Sequence, residues 1–145
     1  MTRAERERFD ALLEEAIEAQ PPGVRALLDE VPLIVDDAPA RALVESLAKE
    51  WGEEPTDDFA QGLCGLHTGV PLTDRIASNS GVLPTNIRMF REGVVWTAGG
   101  WEPQDGESAE DVDDAVYEEI TITLLHELGH HFGLEEDDLA ELGYD

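Results

Sequence analysis

Basic residues are scarce in this sequence. Nine Lys and Arg stand against 34 Asp and Glu, the formal net charge is −25, and no Lys or Arg follows Arg91. A phosphate backbone or an anionic lipid surface would be repelled by so much negative charge, whereas metal cations and basic peptides would be attracted. We therefore expect neither a nucleic-acid partner nor a membrane partner.

Cysteine and long hydrophobic runs are also nearly absent. Cys64 is the single cysteine, so no intrachain disulfide can form and an oxidising compartment gains no support. Residues 1–8 lack the apolar core of a signal peptide, and no later window approaches the length of a membrane span. We expect a cytoplasmic protein, with Cys64 a small buried side chain rather than a nucleophile.

The length and apolar content of the chain suit one compact domain. With 145 residues, 41% of them hydrophobic, the chain is long enough to bury a core and too short for two comfortable domains. We therefore expect a single domain over residues 1–145.

The densest group of chemistry-bearing residues is the run His126-Glu127-Leu128-Gly129-His130. On a helix, His126 and His130 are spaced i and i+4, so both imidazoles project from one face and can bind one cation. Two imidazoles and one carboxylate make a three-ligand site that leaves a fourth position for water, as catalytic zinc requires. Glu127 lies about 100° around the helix and is free to act as a base.

A third ligand is predicted just after this helix. Gly133 can adopt a left-handed conformation that ends the helix and turns the chain, so that an acidic residue beyond it can reach the metal. We predict Glu136 for this role. The competing interpretation is an acidic amphipathic helix with two stacked His, but the added Gly and acid make a chance match far rarer. By helix geometry His131 points away from the metal.

Periodicity predicts the helices of the chain. Apolar residues at helical spacing from Phe9 onward predict an amphipathic helix over residues 2–19, and a short helical turn is expected over 24–30. Pro39 suits the first turn of another helix that extends to about residue 51. Three apolar residues on one face of that helix are expected in the core: Leu43, Leu47 and Trp51.

Shorter runs predict strands. We expect strands at residues 33–35 and 63–67, and a β-hairpin over 87–98 that turns at Glu92-Gly93. Residues 53–59 are expected to form a polar loop.

The helix with the His pair should be long. Residues 108–111 resemble a capping box that opens it. Residues 120–124 alternate with period two and are β-branched, which locally favours a strand. Helix is nevertheless expected, because four residues form an i+4 ladder and because a strand would hold His126 and His130 too far apart for one metal. The ladder consists of Val116, Ile120, Leu124 and Leu128.

Residues 121–139, with the doubled His130-His131 before Phe132-Gly133, closely resemble the small bacterial minimal zincin family of metallopeptidase-like proteins. Residues 62–72 and 83–91 are similar to the Gly-rich turn and following strand of that family. The resemblance covers about residues 30–142. It implies a single-domain α+β zincin-like fold, in which a small mixed sheet packs on helices and residues 1–29 are a helical extension.

The resemblance also implies roles for individual residues. His126 and His130 would be zinc ligands, Glu127 the catalytic base, and an acid would stand where this chain has Glu136. That acid is often Asp in the family, and the longer Glu side chain could cede the role to Asp137, so both stay open. The active-site helix would lie in the C-terminal half of the chain.

The predicted function is zinc-dependent hydrolysis of peptide bonds through a HExxHxxGxxE site, with a peptide or protein as substrate. No Met follows the motif, so the Met-turn pattern of metzincins is absent. Two alternatives remain: a zinc-binding regulatory or interaction protein without robust proteolysis, and a metal hydrolase of non-peptide substrates, whose phosphate-ester version fits poorly with the acidic surface.

Overall fold

The computed structural model describes residues 1–68 and 86–133, and these residues contain six helices and three strands. In chain order the elements are α1 (Arg3–Glu18), α2 (Pro22–Glu30), β1 (Leu33–Asp36), α3 (Arg41–Trp51), α4 (Asp57–Gln61), β2 (Gly65–Thr68), β3 (Asn86–Phe90), α5 (Arg91–Ala98) and α6 (Ala109–Phe132).

The three strands form one mixed sheet with β3 in the centre. β1 pairs with β3 in parallel, with Val35 opposite Met89, and β2 pairs with β3 in antiparallel fashion, with Gly65 opposite Met89. Successive side chains of a strand point to opposite faces, so Ile87 and Met89 point to one face and Phe90 to the other. The predicted α+β fold with a small mixed sheet is confirmed.

Helix α6 begins and ends at the residues that the sequence predicts. The Ser108 hydroxyl accepts a hydrogen bond from the Asp111 backbone N–H at 3.2 Å, and the Asp111 carboxylate accepts one from the Ser108 N–H at 2.9 Å. Gly133 ends the helix in a left-handed conformation with φ 65°. Residues 120–124 are helical because the i+4 ladder that runs through them is completely buried.

Two core clusters connect α6 with the face of the sheet that carries Ile87 and Met89. In the first, α6 packs on α1 and α5 through Phe9, Leu13, Ala16, Met89, Val94, Val95, Val116, Ile120 and Leu124. In the second, it packs on the α2 region through Val24, Val31, Ile87, Leu125 and Leu128. Helix α1 therefore contributes directly to the core that holds α6.

A third cluster covers the opposite face of the sheet. Leu47 from α3 packs there with Leu63 and Phe90, and Leu43 and Phe59 pack against the same group. Helices thus pack on both faces of the sheet, and on this second face they cover only part of it.

The predicted hairpin over residues 87–98 is wrong beyond Phe90. The segment Arg91–Ala98 is helix α5 and ends at Gly99 with φ 111°. The β-branched residues Val94, Val95 and Thr97 favour a strand locally, but tertiary packing overrides that propensity here. Val94 and Val95 are buried against α6, and Gly93 lets α5 approach so closely that a Cβ at that position would lie 1.9 Å from the Leu63 carbonyl oxygen.

Two other expectations are corrected. The polar loop predicted over 53–59 ends at helix α4, which Thr56 caps by accepting a hydrogen bond from the Phe59 N–H at 3.1 Å. Trp51 is not a core residue, since 54% of it is exposed, whereas Leu47 is buried as predicted. Trp51 is the last residue of α3, so its side chain extends past the part of the helix that covers the sheet.

Candidate active site

His126 and His130 lie one turn apart on the exposed side of α6. Their Nε2 atoms are 2.9 Å apart, and their ring centroids are 4.4 Å apart at an angle of 62°. Two imidazole nitrogens that bind one tetrahedral zinc ion at about 2.05 Å each would be roughly 3.3 Å apart. Small ring rotations therefore suffice for the pair to hold one ion, so these residues fit the metal that the sequence predicts.

Glu127 follows His126 directly and lies in the wall of the same cleft. Unlike the two His, it is buried, with 9% of the residue exposed. A carboxylate in such a position is shielded from bulk water and is still able to face a group bound in the cleft. This placement is compatible with the predicted role of Glu127 as a general base.

The third predicted ligand lies outside the described residues, as does its alternative: neither Glu136 nor Asp137 belongs to residues 1–68 or 86–133. Within those two ranges, no group of three or more His, Cys, Asp or Glu side chains is arranged to hold a metal ion. The His pair is therefore two ligands of a predicted set of three. Gly133, the last described residue, ends α6 in the left-handed conformation that the sequence predicts.

The cleft that His126 and Glu127 line has a volume of about 330 Å³. Helix α6 forms one wall with Glu119, Ile122, Thr123, His126 and Glu127, and the facing wall comes from Trp51 and residues 62–64. Thr123 is buried and Glu119 half-buried, and both line the cleft together with His126.

Cys64 is part of the facing wall of the cleft. It is half-buried, and its Sγ lies 3.1 Å from the Thr97 hydroxyl and 3.5 Å from the Gly93 carbonyl oxygen. Burial raises the pKa of the Cys64 thiol, and the carboxylates of Glu119 and Glu127 act in the same direction against the hydrogen bond to Thr97. A protonated thiol is a poor nucleophile, in line with the expectation that Cys64 is not one, but the side chain is half-buried and not buried as expected.

His131 takes no part in the cleft. Its ring is buried and packs edge-on against Phe132, with the ring centroids 4.6 Å apart. This placement agrees with the prediction from helix geometry.

A larger open depression of about 910 Å³ lies over the face of the sheet that carries Arg88 and Phe90. Its basic side chains are paired with acids: Arg6 with Asp37 at 2.7 Å and Arg88 with Asp36 at 2.9 Å. Its third Arg, Arg91, pairs with Asp37 and with Asp10, so each basic side chain of the depression has an acidic partner, and the depression does not include the His pair. The smaller cleft does include His126 and Glu127, and it is therefore the candidate site.

Sequence reasoning missed the facing wall of the cleft. Trp51, Leu63 and Cys64 are far from α6 in the chain, and only the folded sheet brings them opposite the helix. Ile122 was also missed, although its position one turn before His126 on the same helix would have indicated it.

No helix within residues 1–68 and 86–133 is long and apolar enough to cross a membrane.

Comparison with known proteins gives one match to a family. The model of the family described as zincin-like metallopeptidase matches residues 28–144, a range that contains the sheet, the cleft and the His126–His130 segment. No curated protein matches the chain.

Proposed function

Because the chain belongs to the zincin-like metallopeptidase family, we propose that it is a zinc-dependent peptidase that acts through its HExxHxxGxxE segment. The observation that carries the proposal is the geometry of α6. This helix sets two imidazole Nε2 atoms 2.9 Å apart beside a buried carboxylate, at the edge of one cleft.

In this proposal His126, His130 and Glu136 hold the zinc ion, with Asp137 as the alternative third ligand. A zinc ion at such a site supplies a Lewis acid that polarises the scissile carbonyl and lowers the pKa of water to about 7. The two imidazoles must be neutral to bind, so loading is expected to weaken at acidic pH.

Glu127 would move the proton. Its carboxylate accepts a proton from the attacking water and then donates that proton to the leaving amine, so one side chain serves both steps. The burial of Glu127 supports this role, because fewer water molecules compete for the carboxylate inside the cleft than at the surface.

The substrate would be a peptide or protein in extended form. Within the described part of the chain, β2 has β3 as its one strand neighbour, and β2 also lies against α6. An extended peptide can pair with the backbone of such an edge strand. The net charge of −25 favours peptides over nucleic acids and anionic membranes, and we propose a cytoplasmic location as expected from the sequence.

The size of the cleft favours a second candidate function. A volume of about 330 Å³ is at the lower end of ligand-binding sites. A zinc-binding regulatory or interaction protein on the same fold would need no larger cleft, because it binds a partner without having to turn it over.

The test compares zinc content and cleavage of casein and a peptide library for the wild type and Glu127→Gln. We expect about one zinc per chain in both proteins, and cleavage lowered by about 100-fold to 10,000-fold or more in the variant. Zinc in both without cleavage by either would favour the binding protein. Absence of zinc from both would contradict both candidates.

A further inference from the structure

Two large apolar side chains stand exposed at the cleft. Trp51 is 54% exposed and Ile122 is 50% exposed, and both line the cleft beside His126 and Glu127. Trp96 on α5 is also 54% exposed, but it is not among the residues that line this cleft. Large apolar side chains left in water at a ligand-sized cleft indicate a binding surface.

The indole of Trp51 packs against a second aromatic ring. Its ring meets the Phe59 ring edge-on, with centroids 5.7 Å apart at 63°, and Phe59 packs in turn on the core cluster of Leu47 and Leu63. Gly52, with φ 70°, ends α3 directly after Trp51. The exposed ring is therefore attached to the core and able to offer a fixed apolar wall.

Ile122 comes from the opposite side of the cleft. It lies one turn before His126 on α6, so it is on the same side of the helix as the metal-binding pair. A β-branched side chain in a helix has one strongly preferred rotamer. Its apolar surface is therefore fixed close to the point where a scissile bond would lie.

The charge of the cleft adds a second preference. Within residues 1–68 and 86–133, the residues that line it include the carboxylates of Glu119 and Glu127 and contain no Lys or Arg. If Glu127 serves as the base, Glu119 is the acid that remains to pair with a substrate. A Lys or Arg side chain would be attracted to it, and an Asp or Glu would be repelled.

We propose that Trp51 and Ile122 form an apolar clamp that selects a large aromatic or aliphatic substrate side chain next to the scissile bond, and that Glu119 favours a neighbouring Lys or Arg. The substrates would be extended basic peptides with such an apolar residue. This inference rests on the proposed peptidase function. The cleft of about 330 Å³ has room for one or two side chains and not for a folded domain.

The experiment uses the zinc-loaded full chain and a positional peptide library. Trp51→Ala and Ile122→Ala remove the two halves of the clamp, and Trp96→Ala removes an equally exposed indole outside it. We expect the wild type to prefer Phe, Trp or Leu at one position. For a Phe peptide, kcat/KM should fall about 10-fold or more in either clamp variant and stay within about twofold in Trp96→Ala.

The matched Ala peptide provides the internal control. Its slow cleavage should fall much less in the clamp variants than cleavage of the Phe peptide does, because a methyl group offers the clamp little apolar surface. Glu119→Gln should reduce the preference for Lys or Arg and leave the preference for Phe unchanged. Cleavage by the wild type without any apolar preference, and equal effects of Trp51→Ala and Trp96→Ala, would overturn the clamp and leave the peptidase function standing.

A binding measurement separates the clamp from the chemistry. Fluorescein-labelled Phe and Ala peptides are titrated with zinc-loaded Glu127→Gln, alone or combined with Trp51→Ala, and anisotropy is recorded. The clamp is supported if the Phe peptide binds more tightly than the Ala peptide and Trp51→Ala abolishes this difference. If, in addition, none of the proteins cleaves a peptide, only the peptidase function fails. Equal binding of the two peptides overturns the clamp. So does a dimer that Trp51→Ala dissociates in sedimentation, because a second copy would then cover this surface.

Discussion

The two faces of helix α6 share one backbone and meet different surroundings. On one face the ladder of Val116, Ile120, Leu124 and Leu128 is completely buried, whereas on the other Ile122, His126 and His130 are exposed. A rotation of the helix that moved His126 out of the cleft would also pull the ladder out of the core. The buried face therefore determines which residues face the cleft.

The buried face of α6 provides the stability of the helix, and the exposed face carries the residues of the proposed chemistry. Burial of one large aliphatic side chain contributes about 1.5–3 kcal/mol to the free energy of unfolding, so the ladder dominates the stability of the helix. Exposed positions contribute little unless a ligand binds them. The His pair can thus serve a metal without being needed for folding.

The largest expected effect on stability comes from the buried face. Leu124→Ala should lower the free energy of unfolding by about 2–5 kcal/mol, because it leaves a cavity between α6, α1 and the sheet. Chemical denaturation followed by circular dichroism measures the change. Ile122→Ala on the other face is the control and should stay within about 0.5 kcal/mol. Equal losses of unfolding free energy in Leu124→Ala and Ile122→Ala would contradict the proposed difference between the two faces.

The metal should stabilise the protein through the exposed face. At free zinc of about 100 times the dissociation constant, the free energy of unfolding should rise by about 2.7 kcal/mol. Removal of zinc by a chelator should reverse the rise, and His130→Ala should lose it while its metal-free stability stays near that of the wild type. Thermal unfolding with and without zinc provides the measurement. A metal-free His130→Ala that unfolds would show that the pair is structural.

The facing wall of the cleft depends on a close approach of α5. In Gly93→Ala a Cβ would meet the Leu63 carbonyl oxygen, and the overpacking should cost about 1–3 kcal/mol of unfolding free energy, partly offset by the better helix propensity of Ala. Gly62→Ala is the control, because a Cβ there meets atoms at an ordinary 3.5 Å. Denaturation of the two variants side by side decides whether the wall is rigid.

The smallest effect concerns the ion pairs of Asp37, away from both faces of α6. Burial opposes ionisation of Asp37, but hydrogen bonds from Arg6 and Arg91 outweigh it and lower the pKa below the ordinary 3.8. A lowered pKa means that the paired carboxylate stabilises the fold above that value and that this contribution is lost as pH falls through the folded pKa.

Asp37→Asn tests this pH dependence. The wild type should be more stable than the variant by less than about 1 kcal/mol near pH 7, and the difference should shrink between about pH 4 and pH 2. Denaturation at a series of pH values measures it. A difference that grows on acidification would have the wrong sign for an ion pair.

Patterns that depend on one element alone could be predicted from the sequence. The bounds of α6 follow from the capping box at Ser108 and the left-handed Gly133, and the helical state of residues 120–124 follows from the ladder. The spacing of His126 and His130 places both rings on one face before any tertiary contact is known. The roles of these residues, and that of Glu136, stay predictions.

Features that depend on packing between distant segments could not be predicted. Arg91–Ala98 has the β-branched residues of a strand, and its helical state comes from the burial of Val94 and Val95 against α6. Trp51 is a large apolar residue on the face of α3 that was expected in the core, and its exposure follows from its position at the end of that helix. For α4 a signal was present, because Thr56 followed by two Asp is typical of a helix N-terminus.

The most direct test of the account is the zinc stoichiometry of the full chain by native mass spectrometry, for the wild type, His126→Ala, His130→Ala and His131→Ala. We expect one zinc ion in the wild type and in His131→Ala, whose ring is buried away from the cleft, and none in the other two variants. Zinc that persists in both His126→Ala and His130→Ala, or that is absent from the wild type after reconstitution, would contradict the assignment of the metal to the exposed face of α6.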